Sequence, residues 1–374
     1  MSAQPARSGL LDRTVVRALR AVPQYTRLSR HVRSVLAHST PRKVANLLLT
    51  ELEYKLRATK VRGRPYILIV DPTNICNLKC PLCPTGNGTG GRKKQLMKYE
   101  TFTRVIDELA PYAYEVNMHN WGESILHPHV FDMVEYARKR NVATNMSAHF
   151  NTVNEQTIDR LVTSGLEYLC LSIDGATQES YAKYRVGGSL DKVLDNARKL
   201  VQRRRELKSS TPFIEWQFIV FKHNAGEIAA ARELAKEIGV DKFRLIPPGI
   251  AFEMTDTERL KREWFVPAGT EVEGESADYR SQHDAPCFYL YRSFTVNPDG
   301  QVAPCCIVYG EHNDFGNFMD DGFRSIWNGA KYQSARAQFR KGGVVTTPTV
   351  CDGCSWFKKP GDDHVAASLA GRAN

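Results

Sequence analysis

Short apolar segments rich in β-branched residues alternate with amphipathic segments between about residues 65 and 248. The apolar segments predict β-strands at 65–71, 114–120, 142–148, 167–174, 213–221 and 241–247. The intervening segments have apolar residues at helical spacing, and several end in Gly, as helices often do. Strand-then-helix units repeated in this way predict an α/β fold with a parallel sheet. The pattern alone does not distinguish an open sheet from a barrel.

The pattern changes after residue 250, and this change predicts domain boundaries. Residues 251–286 are charged and lack apolar periodicity, so we interpret them as a linker. From Cys287 onward the runs FTV and QVA flank the turn sequence NPDG, which predicts a β-hairpin followed by a short helix. We therefore expect a main domain over 65–250, a small C-terminal domain over 287–360 and a tail over 361–374.

Residues 1–64 form a basic leader that we expect to be helical. Leu11, Val15, Leu19 and Val22 recur at helical spacing, and a second helical stretch, VANLLLTELEYKL, follows. The leader carries a net charge of +11, whereas the rest of the chain carries −1. A basic amphipathic helix can lie on an anionic membrane surface or dock on a partner. It can equally be a solvated helix packed on the body or a loose terminus.

Composition narrows the class of protein. The 374 residues include no apolar run near the ~20 residues that span a bilayer, and the N-terminus lacks the apolar region of a signal peptide. We therefore expect a cytoplasmic protein, with membrane association through its leader kept open. Thiols stay reduced there, so nine cysteines suggest metal sites. No recognition motif accompanies the positive charge, so nucleic-acid binding is not expected.

Three cysteines follow the first predicted strand in the run DPTNICNLKCPLCPTG. Cys76, Cys80 and Cys83 have Cys-x3-Cys-x2-Cys spacing. Iron–sulfur cubanes normally take four cysteines, so three imply a distant fourth ligand or an iron left open for another ligand. Zinc with a ligand from elsewhere, or thiols without a ligand, are the alternatives.

A second set of cysteines lies near the C-terminus. Cys287 and Cys305 are followed by the pair Cys351 and Cys354. Four cysteines in this arrangement could hold zinc or a four-iron cluster, and spacing does not choose between them. Cys306 is a spare beside Cys305, either a buried structural thiol or an alternative ligand.

The first cysteine loop resembles the signature of radical S-adenosylmethionine (SAM) enzymes. The pattern Cys-x12-Gly-x4-Cys followed by Cys-x2-Cys resembles the SPASM and Twitch extensions of that family, and nothing after Cys354 continues the full SPASM pattern. The resemblance covers about residues 65–360. It implies a partial (β/α)6 TIM-type barrel, with the site at the C-terminal strand ends. It also implies a SAM-binding 4Fe-4S cluster on the first cysteines and one auxiliary 4Fe-4S cluster on the second set.

The resemblance also assigns SAM contacts. HNWGES after the second strand resembles the family's GGE motif, with Trp121 in place of the first Gly. Gly122 would allow close backbone approach, and Glu123 would accept hydrogen bonds from the SAM ammonium. Asn145 resembles the residue that contacts the ribose. Ser172 and Arg185 resemble those that hold the SAM carboxylate, although Arg185 could be a surface arginine and Asp174 beside them a helix cap.

Residues that act on the substrate are not identified by the sequence. Candidates on or near the strand ends are His119, Asn120, Glu215, Gln217, Lys222 and Arg244, each of which could instead be a cap or network residue. Cys170 is expected in the core. If it faced the barrel interior, it could donate a hydrogen atom to a substrate radical, as could Cys306.

The resemblance implies reductive SAM cleavage followed by hydrogen abstraction from the substrate. We expect a small-molecule substrate, a sugar, cyclitol or lipid-linked glycan, that is oxidised or epimerised, with flavodoxin or ferredoxin as electron donor. Because many SPASM relatives mature peptides, a peptide-modifying maturase is the alternative. A non-catalytic zinc-binding adaptor is the rival outside this class.

Overall fold

All six predicted strands are present in the computed structural model, which describes residues 26–267 and 285–354. They are β1 Ile67–Val70, β2 Glu115–Asn117, β3 Ala143–Ala148, β4 Tyr168–Ser172, β5 Phe213–Ile219 and β6 Lys242–Ile246. Each lies within its predicted range. Consecutive strands pair in parallel, with the register Ile67 to Glu115 and Cys170 to Glu215 among the pairs. The sheet stays open, so the predicted α/β partial barrel is confirmed.

Two further strands extend the sheet beyond β1. β7 (Ser293–Val296) and β8 (Val302–Ala303) form the predicted hairpin around NPDG. β7 also pairs with β1 in parallel, so the strand order is β6-β5-β4-β3-β2-β1-β7-β8. This pairing, which periodicity did not predict, satisfies the backbone groups that β1 would otherwise leave at an edge.

Helices cover the sheet because their apolar stripes are buried against it. The helices of the described residues are α1 Thr26–His38, α2 Pro41–Lys55, α3 Pro84–Asn87, α4 Tyr99–Leu109, α5 Val130–Lys139, α6 Glu155–Thr163, α7 Gln178–Tyr184, α8 Leu190–Glu206, α9 Ile228–Ile238, α10 Thr257–Trp264, α11 Tyr289–Arg292, α12 Phe318–Trp327 and α13 Ala330–Ala337. Short 3-10 turns lie at Ser124–Leu126, Ala225–Glu227, Glu311–Asn313 and Val350–Gly353. In α4, Phe102, Val105, Ile106 and Leu109 are fully buried. Side chains of Asn154, Thr177 and Ser189 cap α6, α7 and α8.

The segment expected to be a linker contains a helix. In α10, Leu260 and Trp264 are buried, and Trp264 packs edge-on against Tyr184 and Phe221. Their spacing of four residues is one helical turn, a signal too short to stand out among charged neighbours. Residues 268–284 and the tail 361–374 lie outside the described residues.

The described part of the leader packs on the sheet domain. In α1, Arg30 lies 3.8 Å from the Glu115 carboxylate, and His38 Nε2 lies 2.9 Å from that of Glu167. α2 and the residue that follows it present an exposed apolar stripe, Val44, Leu48, Leu52 and Leu56. Contact of the leader with a membrane or partner stays a prediction, and the stripe at residues 11–22 lies outside the described residues. Among the helices that the structure describes, none is long and apolar enough to cross a membrane.

Candidate functional site

The first cysteine loop leaves the C-terminal end of β1 and folds back over the sheet. Cys80 is buried, and Cys76 and Cys83 are partly buried. Burial raises the pKa of the Cys76 thiol to about 12, and burial likewise raises that of Cys80. Arg185 Nη1 lies 3.9 Å from Cys80 Sγ, so a cation is already present where thiolate charge would gather.

The segment after β2 packs tightly on this loop. The backbone N–H of Trp121 donates to Asp71 Oδ2 at 3.0 Å, and that of Glu123 donates to the Ile75 carbonyl at 2.9 Å. A Cβ on Gly122 would lie 1.8 Å from the Thr73 carbonyl oxygen. Only glycine fits there, because any side chain would push the two loops apart.

Glu123 is held with one carboxylate oxygen unused. The residue is only 3% exposed, and its Oε2 accepts the backbone N–H of His149 at 3.0 Å. Its Oε1 is buried and has no hydrogen-bond partner among the described residues. Burial raises the pKa of Glu123 to about 8. A buried acceptor without a donor is costly, so this atom fits a ligand that brings an N–H.

The remaining predicted SAM contacts lie on one side of the sheet. Asn145 Nδ2 donates to Asn117 Oδ1 at 3.2 Å, and Ser172 Oγ is 3.2 Å from Ser147 Oγ. Arg185 is not a surface arginine, because it forms a buried ion pair with Asp174 at 2.6 Å. Asp174 also accepts the Ile219 N–H, and the cap of α7 is Thr177 instead.

Three of the substrate-facing candidates form one network. Arg244 donates from Nε to Glu215 Oε1 at 2.7 Å and from Nη2 to Gln217 Oε1 at 2.6 Å. Cys170 Sγ lies 4.0 Å from the same Glu215 oxygen, so the thiol shares a face with these polar groups. Glu215 is fully buried. These residues line the interior of the partial barrel rather than its rim.

The other candidates are dispersed. The side chain of Lys222 is exposed after β5. His119 is partly buried. The Asn120 amide, oriented to satisfy both of its polar atoms, accepts from Trp121 Nε1 at 3.0 Å and donates to the Cys306 carbonyl at 2.9 Å. Asn120 is therefore a bridge between the β2 loop and the C-terminal domain.

The second cysteine set gathers from three segments: the start of α11, the exit of the hairpin and the turn at Val350–Gly353. Burial raises the pKa of Cys287, and the charges of Cys351 and Cys354 act in the same direction. Burial also raises the pKa of Cys305, with Cys306, Cys287 and Cys351 adding to the shift. Cys306 Sγ is turned to the Tyr289 hydroxyl at 3.3 Å.

Neither cysteine set is a compact single-ion site. Within residues 26–267 and 285–354, no three His, Cys, Asp or Glu side chains are arranged to hold one metal ion. A cubane binds its thiolates on separate irons, which spreads the sulfur atoms further apart. The donor set, all thiols in two groups of mostly partly buried residues, fits such clusters chemically.

Asp71 belongs to the site, although the sequence reasoning passed over it. It is fully buried, and burial raises its pKa to about 7 while the backbone N–H groups of Trp121, Gly122 and Asn120 lower it. The Trp121 hydrogen bond helps to hold the loop that carries Glu123. The available signal was an acid directly at the end of the first strand, before Pro72.

Comparisons with protein families match both domains. Residues 70–215 match the radical SAM superfamily, and residues 287–355 match SPASM, an iron–sulfur cluster-binding domain. Together the two matches cover the first cysteine loop, the predicted SAM contacts and the second cysteine set.

Curated relatives of similar length exist at low identity. The AdoMet-dependent heme synthase of Methanosarcina barkeri is 25% identical over 333 residues, covering 78% of this chain and 91% of the relative. The PqqA peptide cyclase of Gluconobacter oxydans is 25% identical over 281 residues, covering 71% of this chain and 76% of the relative.

Solved structures share the fold. Streptococcus suis SuiB bound to S-adenosylmethionine has a TM-score of 0.57 at 15% identity, covering 78% of this chain and 71% of SuiB. SuiB bound to precursor peptide SuiA has a TM-score of 0.56 at 14% identity, covering 84% of this chain and 74% of SuiB. anSMEcpe with bound AdoMet and a Cp18Cys peptide has a TM-score of 0.51 at 15% identity, covering 78% of this chain and 87% of anSMEcpe.

Proposed function

This chain is a radical SAM enzyme with a C-terminal SPASM domain, and we propose that it modifies a peptide by abstracting a hydrogen atom from one of its C–H bonds. Its cofactors are a SAM-binding 4Fe-4S cluster, SAM and an auxiliary iron–sulfur cluster. When bound, the cluster and SAM supply the radical chemistry. The chain's own residues bind, orient and shield these groups.

We assign the first cluster to Cys76, Cys80 and Cys83. The observation that carries the SAM assignment is the unpaired, buried Oε1 of Glu123 beside Gly122. We assign Glu123 to the SAM amino group, Asn145 to the ribose, and Ser172 and Arg185 to the carboxylate. Because Asp174 already pairs with Arg185, it fixes the guanidinium position before any ligand arrives.

We assign the auxiliary cluster to Cys287, Cys305, Cys351 and Cys354. The electrostatic influence of these thiols on one another supports a shared site. Cys306 is left outside the set because its thiol is directed to Tyr289.

Peptide modification is favoured by the relatives. A PqqA peptide cyclase is among the curated proteins that match most of this chain, and a peptide-bound SuiB structure shares its fold. The AdoMet-dependent heme synthase is a relative of comparable similarity whose name describes heme synthesis and not peptide modification. The zinc adaptor gains no support from these matches.

Oxidation or epimerisation of a sugar or cyclitol is the second candidate. Its support is the polar interior formed by Glu215, Gln217 and Arg244, with Cys170 beside them. Hydroxyl groups could hydrogen-bond to this network, and the Cys170 thiol beside Glu215 supports a role as hydrogen donor in this candidate.

The class of reaction is tested by anaerobic reconstitution. We expect roughly eight irons per chain, four for each cubane, and 5′-deoxyadenosine formation from SAM under dithionite. Replacing Cys76, Cys80 and Cys83 by Ala should abolish 5′-deoxyadenosine formation and remove about half the iron. Cys170→Ala is the matched control, since it lies outside both sets and should keep the full iron content. Iron-free, zinc-loaded wild type would contradict the proposal.

The substrate class is tested by isotope transfer. A perdeuterated bacterial protein digest and perdeuterated glucose and myo-inositol are supplied separately. Deuterium in 5′-deoxyadenosine from the digest supports peptide modification. Deuterium from the polyols alone overturns it in favour of the second candidate.

A further inference from the structure

A cavity lies between the two domains at the C-terminal ends of β1 and β7. It has a volume of about 70 Å³, is partly open to solvent, and is lined by Asp71, Pro84, Arg92, Trp121, Asn297 and Tyr309, among others. Pro84 directly follows Cys83, and Trp121 directly precedes Gly122 and Glu123. The cavity therefore borders both the first cysteine loop and the predicted SAM contacts, which is where a substrate has to lie.

Each of two buried side chains in the cavity wall has one polar atom without a hydrogen-bond partner among the described residues. Asp71 and Asn297 are 0% and 1% exposed. Within the described part of the chain, neither Asp71 Oδ1 nor Asn297 Nδ2 has a hydrogen-bond partner. One is an acceptor and the other a donor. Buried groups of this kind are normally satisfied, so the pair points to a ligand that brings one donor and one acceptor.

The sheet register places these two groups side by side. Val70 pairs with Val296 in parallel, and Asp71 and Asn297 are the next residues of β1 and β7. The Asp71 N–H also donates to the Val296 carbonyl at 3.0 Å, so the two strand ends are tied together. Residues paired across neighbouring strands direct their side chains to the same face.

The buried charges and the walls of the cavity fit a neutral ligand, and the other cation of the lining, Lys94, is exposed to solvent. Arg92 is neutralised by Asp314 at 2.7 Å and by Asp299. The buried acid Asp71 would repel a phosphate or carboxylate. Trp121 and Tyr309 meet edge to face with ring centroids 5.3 Å apart and supply an apolar surface for a side chain.

We infer that this cavity is the subsite that holds one residue of an extended peptide substrate, with Asp71 accepting its N–H and Asn297 donating to its C=O. In an extended chain the N–H and C=O of one residue point to the same side, as in antiparallel pairing. The adjacent acceptor and donor match that arrangement. This inference rests on the proposed peptide-modifying function and adds the residues that would recognise the backbone.

The test uses binding rather than turnover. The probe is N-acetyl-L-alanine methylamide, and its comparison is O-acetyl-L-lactic acid methylamide, which lacks only the central N–H. Both are titrated by ligand-observed NMR against the full chain, anaerobically reconstituted and saturated with SAM. We expect the amide to bind at least ten-fold more tightly, because a hydrogen bond to a buried carboxylate is among the stronger ones.

Two variants test the roles of Asp71 and Asn297 separately. In Asp71→Asn the side-chain oxygen should stay with the Trp121 N–H and turn its NH2 into the cavity, so the preference for the amide should disappear. Asn297→Ala should weaken both probes about equally, since both keep the carbonyl. Asp159→Asn, an exposed acid paired with Arg203, is the matched control and should keep the ten-fold preference. Iron content and circular dichroism verify that each variant is folded.

The outcomes distinguish this inference from the proposed function. Equal binding of the two probes, or a preference that survives Asp71→Asn, overturns the subsite. Tighter binding of myo-inositol than of the amide, with displacement of the amide by it, also overturns it. If the peptide digest still transfers deuterium in either case, the peptide-modifying function stands and only the assignment of Asp71 and Asn297 fails.

Discussion

At the scale of single residues, the site is marked by a buried polar atom that has no hydrogen-bond partner among the described residues. Glu123 has one oxygen bonded to the His149 N–H and the other without a donor among the residues that the structure describes. Gly122 permits the contact with Thr73 that places Glu123 over the cysteine loop. A sequence motif can indicate that an acid and a glycine belong together, but only the packing shows which oxygen is left for a ligand.

Replacing Glu123 by Gln should weaken SAM binding at least ten-fold. The change keeps the shape and still allows the His149 N–H to be accepted, but it then presents an NH2 where the ligand's N–H would need an acceptor. The dissociation constant of SAM is measured by equilibrium dialysis with the anaerobically reconstituted protein. Glu135→Gln, an exposed acid on α5 that pairs with Arg160, is the control and should leave affinity within two-fold. Unchanged affinity in Glu123→Gln would remove Glu123 from the SAM site.

At the scale of elements, α1 closes one end of the sheet domain. Arg30 bonds Asn117 Oδ1 at 3.4 Å, and Asn117 in turn accepts from Asn145. Arg30 and His31 lie 3.8 and 3.7 Å from Glu115, which is only 2% exposed. Burial alone would raise the pKa of Glu115, but the neighbouring His31 and the charge of Arg30 outweigh it and lower the pKa. The leader helix therefore supports Asn117, the β2 residue that bonds the predicted SAM contact Asn145.

Docking of α1 should weaken as the pH rises, through His38. Burial acts to lower the pKa of His38, but its hydrogen bond to Glu167 and the charge of Glu167 outweigh it, so the pKa lies above 6.5. The folded state then holds the proton more tightly than the unfolded state. The stabilisation is complete below about pH 6.5 and is lost as the pH rises through the folded pKa.

This dependence is measured as the difference in free energy of unfolding between wild type and His38→Gln. The difference should be larger at pH 6 than at pH 8, by up to about 1 kcal/mol for a pair near the surface. His129→Gln removes an exposed histidine paired with Asp132 and serves as control, with a smaller change. A difference for His38→Gln that grows with pH would reverse the sign and contradict the assignment.

The elements that sequence could predict are those with a local signal. β-Branched runs located all six parallel strands, and NPDG located the hairpin of β7 and β8. The pairing of β7 with β1 joins residues more than two hundred positions apart and depends on which edge remains open, so no periodicity reports it. Asp71 and Asn297 were missed for the same reason. Each is an ordinary loop residue alone, and only the register brings them together.

At the scale of the whole molecule, one sheet carries both cysteine sets. β1 leads into Cys76, Cys80 and Cys83, and its neighbour β7 lies between Cys287 and Cys305. The domains are therefore joined by backbone hydrogen bonds and not only by side-chain contacts. Two matched families, one ending at residue 215 and the other beginning at 287, meet in a continuous structural layer. The distance between the two clusters should be fixed as firmly as the spacing of adjacent strands.

Arg92 forms a second link between the two domains. Its side chain is 5% exposed and pairs with Asp314 and Asp299, both in the C-terminal domain. Burial raises the pKa of Asp314 to about 6, although Arg92 acts to lower it. Asp314 is ionised at pH 8, so removal of the guanidinium leaves its buried negative charge without compensation.

Arg92→Met should therefore destabilise the whole molecule rather than one domain. Removing one partner of a buried ion pair costs about 3 kcal/mol, against less than about 1 kcal/mol for an exposed pair. Urea unfolding at pH 8 is followed under anaerobic conditions by tryptophan fluorescence and by cluster absorbance. The two midpoints should coincide and shift together, because the sheet links both cluster loops. Arg198→Met, which breaks the exposed pair with Glu237, is the control and should shift them little. If absorbance and fluorescence separate into two transitions, the continuous sheet does not make the domains unfold as one.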